Sequence, residues 1–130
     1  MSLRISDREF EAILALAGPE RYAHHIKRVA DTEQLWSLAA PGGWVLASDG
    51  RREPVPIWPH PRYAAACATN TWKDAEPSAI RLDDWLTKWL PGIARDGRAI
   101  AAFATPTDRA VVVESERMRA DLEAELEHYE

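Results

Sequence analysis

The chain has few of the residues on which several large classes of protein depend. Its 130 residues include a single cysteine, Cys67, and six glycines. No apolar run approaches the roughly 20 residues of a membrane span, and Met1–Arg4 lacks the basic stretch and apolar run that begin a secretion signal. Because one cysteine cannot form an intramolecular disulfide, the sequence favours a reducing compartment. We therefore expect a cytoplasmic protein without a membrane span.

Basic residues are not in excess. Lysine and arginine number 16 against 21 acids, which gives a net charge of -5. The imbalance lies between Glu114 and Glu130, where seven acids accompany two arginines and so account for the whole of it. A chain without a basic footprint is not suited to binding the phosphate backbone of nucleic acid. The acidic segment suits a basic protein partner, and it equally suits a solvated helix without a partner.

The sequence also lacks the combinations that carry catalysis or hold metals. Gly42 and Gly43 lie in a turn, not in a phosphate-binding loop between a strand and a helix. Neighbouring His24 and His25 point about 100° apart on a helix and cannot bind one metal from the same face. Cys67 is interpreted as a small buried residue on an alanine-rich helix. We expect no cofactor, no metal site and no enzymatic activity, and enzymatic activity ranks third behind two binding functions.

The length and the 46% hydrophobic content indicate one globular domain over residues 1–130. A capping box at Ser6–Glu9 begins a helix, and Gly18–Pro19 ends it and begins a second helix that runs to about Ala30. Further helices are predicted from Pro61 to about Thr69, from a cap at Asp83 with a kink at Pro91, and from a cap at Ser115.

Strands are predicted in two groups. The segments Leu35–Leu38, Trp44–Ala47 and Pro54–Trp58 are separated by turns at Pro41–Gly43 and Asp49–Gly50, and they predict a three-stranded meander. The third strand contains prolines, which cannot donate ladder hydrogen bonds, so we expect it to lie at an edge or to carry a bulge. The segments Ala99–Ala104 and Ala110–Val113 predict a hairpin at the sheet centre, and Ile80–Leu82 predicts a short extended piece. The fold class is therefore α+β, with a largely antiparallel sheet of about five strands and helices packed on it.

Tryptophan is the abundant residue. Six are present: Trp36, Trp44, Trp58, Trp72, Trp85 and Trp89. We expect Trp44, Trp58 and Trp89 in the core because they fall in strands or on the inward face of a helix. Trp72, in a loop, and Trp85, at a helix start, are candidates for exposed binding anchors, although both could instead cover the core under loops.

The run Trp58-Pro59-His60-Pro61-Arg62-Tyr63-Ala64 resembles a bacterial family catalogued as domain of unknown function 2750, together with Gly43–Leu46 before it and Ile80–Leu86 and Trp89–Pro91 after it. The resemblance extends from Ser6 to Tyr129. It implies a bacterial, single-domain, cytoplasmic protein and carries no activity, cofactor or catalytic residue. The order of elements is also loosely similar to the amino-terminal domain of the enhanced-serine-sensitivity protein family and to small immunity-type proteins, which is a likeness of fold and not of function.

His60 lies between Pro59 and Pro61, so a stiff turn presents its imidazole at the N-terminus of a helix. There it could bind a ligand or cap the helix. Two functions follow. The first is a non-enzymatic protein-interaction module, immunity-like or regulatory, in which an acidic surface and exposed aromatic residues contact a protein. The alternative is a small-molecule-binding domain with a pocket near the Trp-Pro-His-Pro turn. The candidate binding residues are Trp44, Trp58, His60, Arg62 and Trp72.

Overall fold

The structure, a computed structural model, describes residues 4–47 and 53–129, and the side chain of Tyr129 is outside this description. The predicted turn at Asp49–Gly50 also lies outside the described residues. The fold is α+β, as predicted. Sheet A has the order β2-β1-β4 and sheet B the order β3-β5-β6. The strands are β1 (Gln34–Ala40), β2 (Gly43–Trp44), β3 (Val55–Ile57), β4 (Glu76–Arg81), β5 (Ile100–Ala102) and β6 (Val111–Val113).

The predicted meander is wrong at its third strand. β1 and β2 form the predicted hairpin, with Ala39 opposite Trp44. β3, however, pairs in parallel with β5, and the long antiparallel partner of β1 is β4. The hairpin of β5 and β6 is confirmed, with β5 at the centre of sheet B. The single sheet of about five strands is therefore not confirmed, since the chain forms two sheets of three strands.

The prolines explain where β3 lies. The N–H of Val55 donates to the C=O of Ala99 at 3.0 Å, and the C=O of Ile57 accepts from the N–H of Phe103 at 2.9 Å. The intervening position, where Pro56 has no N–H, therefore falls on the opposite edge of β3. The prediction of an edge strand is confirmed.

The proline edge of β3 is also where the two sheets meet. The C=O of Pro56 accepts a hydrogen bond of 2.6 Å from the Ser37 hydroxyl on β1. Trp36 and Trp58 then exchange two backbone hydrogen bonds of 2.8 Å each. These contacts join sheet B to β1 of sheet A.

The helices begin close to the predicted positions. Ser6 caps α1 by accepting from the N–H of Glu9 at 3.0 Å. The N-caps of α4 and α6 are Arg81 and Glu114, so the caps predicted at Asp83 and Ser115 are wrong. The helices are α1 (Asp7–Leu14), α2 (Gly18–Thr32), α3 (Pro61–Ala66), α4 (Leu82–Asp84), α5 (Leu90–Arg95) and α6 (Ser115–Leu126), with 3₁₀ turns at Asn70–Trp72 and Glu127–Tyr129.

Pro91 disturbs its helix as predicted. A π-helical turn, Trp85–Trp89, separates α4 from α5, and in it the N–H of Leu90 donates to the C=O of Trp85. In the same pattern the C=O of Leu86 would accept from the N–H of residue 91. Pro91 has no N–H, so this carbonyl receives no hydrogen bond from that position. Arg119 of α6 donates to this carbonyl at 2.6 Å. The deviation at Pro91 thereby fixes how α6 packs against this helix.

A buried arginine organises the chain after β5. Arg21 of α2 is fully buried and donates from Nε to the C=O of Phe103 at 2.8 Å, which holds Phe103 at a φ of 58°. Such a left-handed backbone is uncommon for a residue other than glycine. The Nη atoms of Arg21 donate to Asp108 Oδ2 at 3.0 Å and to the C=O of Arg109 at 2.8 Å. Arg21 therefore fixes the whole turn between β5 and β6.

Candidate binding surfaces

The Trp-Pro-His-Pro turn is built into the fold. Trp58 is fully buried, and its Nε1 donates to the C=O of Ala104 at 2.9 Å. His60 is the N-cap of α3, and its Nδ1 accepts from the N–H of Arg62 at 3.0 Å. Its side chain is buried and lies edge-on to Tyr63, with ring centroids 6.1 Å apart. Both residues therefore have defined structural contacts, and of the two roles considered for His60 the structure contains the cap.

Arg62 and Tyr63 hold α1 on the body of the protein. The guanidinium of Arg62 lies 4.1 Å from the centroid of the Phe10 ring and donates to Asp7 Oδ1 at 2.7 Å. Phe10 also stacks on the buried ring of Tyr63, at a centroid distance of 5.3 Å and an interplanar angle of 12°. The turn and the residues that follow it thus form the platform for α1.

Trp72 lies on a 3₁₀ turn and is partly buried. It meets Trp58 edge-on at a centroid distance of 6.3 Å. Its outer side borders a concavity of about 510 Å³. Of the predicted candidate residues, Trp72 alone lines this concavity, so Trp58, His60 and Arg62 are not brought into one pocket with it.

Trp44 lies at the tip of the β1–β2 hairpin and is 44% exposed, so the expectation of a core position is wrong. Gly43 turns the chain with a φ of 125°, a conformation suited to glycine. The indole of Trp44 stands edge-on to Trp89 at 4.8 Å, and Trp89 in turn lies 5.8 Å from the fully buried Trp85. Of the two possibilities considered for Trp85, the structure therefore has the core position and not the exposed anchor. A row of three tryptophans connects the surface to the core.

A small concavity of about 220 Å³ lies beside this row. Its apolar wall includes Trp44, Leu46 and Trp89, and Asp96 and Arg98 also line it. Arg98 is paired with Glu53 at 3.4 Å, whereas Asp96 has no ion pair within the part of the chain that the structure describes. We call Trp44, Leu46, Trp89 and Asp96 the Trp44 tip. It combines an exposed indole, an apolar recess and the carboxylate of Asp96, which has no ion pair among the described residues although Arg98 lines the same recess.

Burial suppresses the chemistry of the interior titratable groups. It raises the pKa of the Cys67 thiol to about 11, so the thiol stays protonated at neutral pH. It lowers the pKa of His25 to about 3, and neither ring nitrogen of His25 has a hydrogen-bond partner among the described residues. Over residues 4–47 and 53–129, no three His, Cys, Asp or Glu side chains are grouped closely enough to hold a metal ion.

Sequence reasoning missed Trp89 as the support of Trp44, and it missed Arg109, which lines the concavity beside Trp72. The alternation of small and large side chains in Ala99-Ile100-Ala101 is a sequence signal for the concavity that Arg109 lines. It places small side chains on one face of β5, and such side chains leave a recess if nothing larger covers them.

These features define the class: a small α+β protein with an exposed aromatic tip and a separate apolar concavity. The chain belongs to the family described as Protein of unknown function (DUF2750), whose model matches residues 22–122. The match includes the Trp-Pro-His-Pro turn and both sheets, begins after α1 and ends within α6. It is thus shorter at each end than the resemblance from Ser6 to Tyr129. No curated protein matches the chain. None of the helices in the described residues has the length and apolar character needed to cross a membrane.

Proposed function

We propose that the protein is a non-enzymatic protein-interaction module that binds a basic partner through the Trp44 tip. One observation carries this proposal: the Trp44 indole is 44% exposed on the β1–β2 hairpin. Tryptophan is enriched among the few residues that dominate protein–protein binding, because it buries a large area and keeps one polar group. Without a partner, the exposed indole leaves apolar area in contact with water.

Preorganisation supports the same function. Trp44 rests on Trp89, which packs on the buried Trp85, so the indole is held in position before a partner arrives. A residue that is already ordered loses less side-chain entropy on binding, and that loss is about 0.5–1.5 kcal/mol for each newly immobilised side chain. The row of tryptophans therefore favours tight binding at the tip.

Charge indicates the partner. Asp96 lines the recess of the Trp44 tip, and α6 and its continuation present further exposed acids at Glu116, Glu123 and Glu127. An acidic surface accelerates association with a basic one and disfavours acidic competitors. We infer that the partner places a lysine or arginine against Trp44, with its aliphatic stem in the recess and its charge near Asp96. An immunity-like role and a regulatory role both fit such a partner.

The cellular compartment and the number of domains are also part of this proposal. A single buried cysteine supports a reducing compartment, and we place the protein in the cytoplasm of a bacterium as one domain over residues 1–130.

Affinity capture from a lysate of the encoding organism tests the proposal with three baits: the wild type, Trp44→Ser and Val112→Ser. Val112 is a matched control because it is also apolar and 43% exposed, but it lies on β6. We expect a basic protein to be captured by the wild type and by Val112→Ser and lost with Trp44→Ser. Binding of that purified protein should weaken about threefold to tenfold with Asp96→Asn and should weaken in high salt. Equal capture by the Trp44→Ser and wild-type baits would overturn the proposal.

Small-molecule binding is the second candidate function. The concavity beside Trp72, at about 510 Å³, falls within the range of ligand pockets. Because Trp58 and His60 do not line it, this pocket lies beside the Trp-Pro-His-Pro turn and not behind it.

A further inference from the structure

The floor of the concavity beside Trp72 is the outer face of sheet B. Pro56 is the register partner of Ala101, and Ala101 is the register partner of Val112, so these three residues form one row across β3, β5 and β6. Their neighbours Ile57, Ile100 and Val113 belong to the core. Since successive side chains of a strand point to opposite faces, the row is directed away from that core. Its side chains are apolar, and because Pro56 and Ala101 are buried beneath the recess whereas Val112 is 43% exposed, Val112 provides most of the accessible apolar surface of this row.

The walls give the recess a defined shape. The partly buried Trp72 borders one side, packed edge-on against Trp58. Ala47 and Pro54, which comes directly before β3, also line it, and the N–H of Ala47 donates to the C=O of Pro54 at 2.9 Å. This concavity is larger than the recess of the Trp44 tip, at about 510 Å³ against about 220 Å³. It is large enough for a bicyclic ring system and small for a folded partner.

Among the described residues that line this apolar recess, Arg109 is the one cation. Arg109 is exposed, and its guanidinium has no ion pair or hydrogen bond with any residue in the described ranges. Its backbone is held at both ends, because its C=O accepts from Arg21 at 2.8 Å and its N–H donates to Asp108 Oδ1 at 2.9 Å. The nearest acid, Asp108, already pairs with Arg21 through Oδ2 at 3.0 Å. The guanidinium therefore lies at the recess and is available to form an ion pair with an anion.

We infer that this recess binds a small amphipathic carboxylate, whose flat apolar body lies on Pro56, Ala101 and Val112 beside Trp72 and whose carboxylate pairs with Arg109. An apolar floor of small side chains selects a flat body, and a guanidinium binds a carboxylate through two parallel hydrogen bonds. This inference names the ligand class of the second candidate function. It uses no residue of the Trp44 tip, so it stands or fails independently of the proposed protein-interaction module.

The test uses 2-naphthoate as the probe and 2-naphthalenemethanol as its uncharged counterpart, each titrated to about 10 mM into ¹⁵N-labelled protein followed by NMR. We expect 2-naphthoate to shift the amide signals of Ala101, Arg109 and Val112 and the indole signal of Trp72. The alcohol should bind about tenfold more weakly, because it cannot pair with the guanidinium.

Three variants make the result specific. Arg109→Gln should weaken 2-naphthoate about fivefold to tenfold and leave the alcohol unchanged. Val112→Glu, at an exposed position, should abolish 2-naphthoate binding by repulsion without disturbing the core. Arg81→Gln changes another exposed arginine, on β4, and should have no effect. The inference is overturned if 2-naphthoate shifts no signal of these four recess residues, or if Arg109→Gln binds it as the wild type does.

Discussion

Two tryptophans from the same part of the chain, Trp58 and Trp44, lie in opposite environments. Trp58 belongs to the most distinctive run of the sequence, yet it is fully buried and hydrogen-bonded to Ala104. Trp44 belongs to a two-residue strand and is 44% exposed. The comparison teaches that a dense aromatic and proline motif can be fully occupied in holding helices and strands together. The surface that we propose for a partner then lies in a less distinctive segment.

Trp58→Ala tests the buried side of this comparison and has the largest expected effect. Removing a fully buried indole that also packs edge-on against Trp72 should lower the free energy of unfolding by about 3–5 kcal/mol. Urea denaturation followed by circular dichroism measures it. A loss below about 1 kcal/mol would show that Trp58 is not a structural residue.

His25→Leu tests the buried interior through the pH dependence of the free energy of unfolding. The folded state keeps His25 neutral because burial lowers its pKa to about 3, whereas the unfolded chain takes up a proton below about pH 6.5. The stability contributed by neutral His25 is therefore complete above pH 6.5 and is lost as the pH falls from there towards 3, by at most about 1.4 kcal/mol per pH unit.

In His25→Leu this dependence disappears. Between pH 6.5 and pH 5 the variant should lose about 2 kcal/mol less stability than the wild type. It should fold at neutral pH, since neither ring nitrogen of His25 has a partner in the described structure to be orphaned. Urea titrations at several pH values measure the slope, and parallel slopes for the two proteins would contradict a neutral buried imidazole.

Arg62→Met tests whether the motif holds α1. The substitution removes the contact with the Phe10 ring and the pair with the exposed Asp7, for an expected loss of about 1 kcal/mol. Hydrogen exchange should rise in α1 and stay unchanged in β5. Lys88→Met is the control, because it breaks an exposed pair with Asp84 elsewhere on the surface. Unchanged exchange in α1 would contradict the platform described for this helix.

Trp44→Ser should have the smallest effect on folding. The indole is nearly half exposed and its main described contact is the edge-on approach to Trp89, so we expect a loss of no more than about 1 kcal/mol. Thermal unfolding measures this, with Trp58→Ala as the opposite reference. A loss as large as that of Trp58→Ala would place Trp44 among the structural residues.

The features predicted correctly from the sequence are local ones. The Ser6 cap, the boundary at Gly18–Pro19 and the β5–β6 hairpin each depend on residues close together in the chain. The pairing of Val55 with Ile100 depends on segments far apart, and nothing in the local pattern of β3 distinguishes a parallel partner from an antiparallel one.

The environments of the tryptophans were harder to predict for the same reason. The sequence predicts Trp44 in a strand and therefore in the core, but β2 ends at Trp44. The sequence leaves Trp85, which follows acids at a helix start, open between an exposed anchor and a core position, and the helix turns it onto the core. Arg109 was read as part of a turn, and its position depends on the buried Arg21 from a distant helix.

The most direct test of the account compares Trp44→Ser with Arg62→Met for both thermal stability and capture of the basic partner, at a temperature at which each variant is folded. The account predicts a crossed result: Trp44→Ser keeps its stability and loses the partner, whereas Arg62→Met loses stability and keeps the partner. If the folded Arg62→Met variant loses the partner while Trp44→Ser retains it, the binding surface is the Trp-Pro-His-Pro turn and the central claim is wrong.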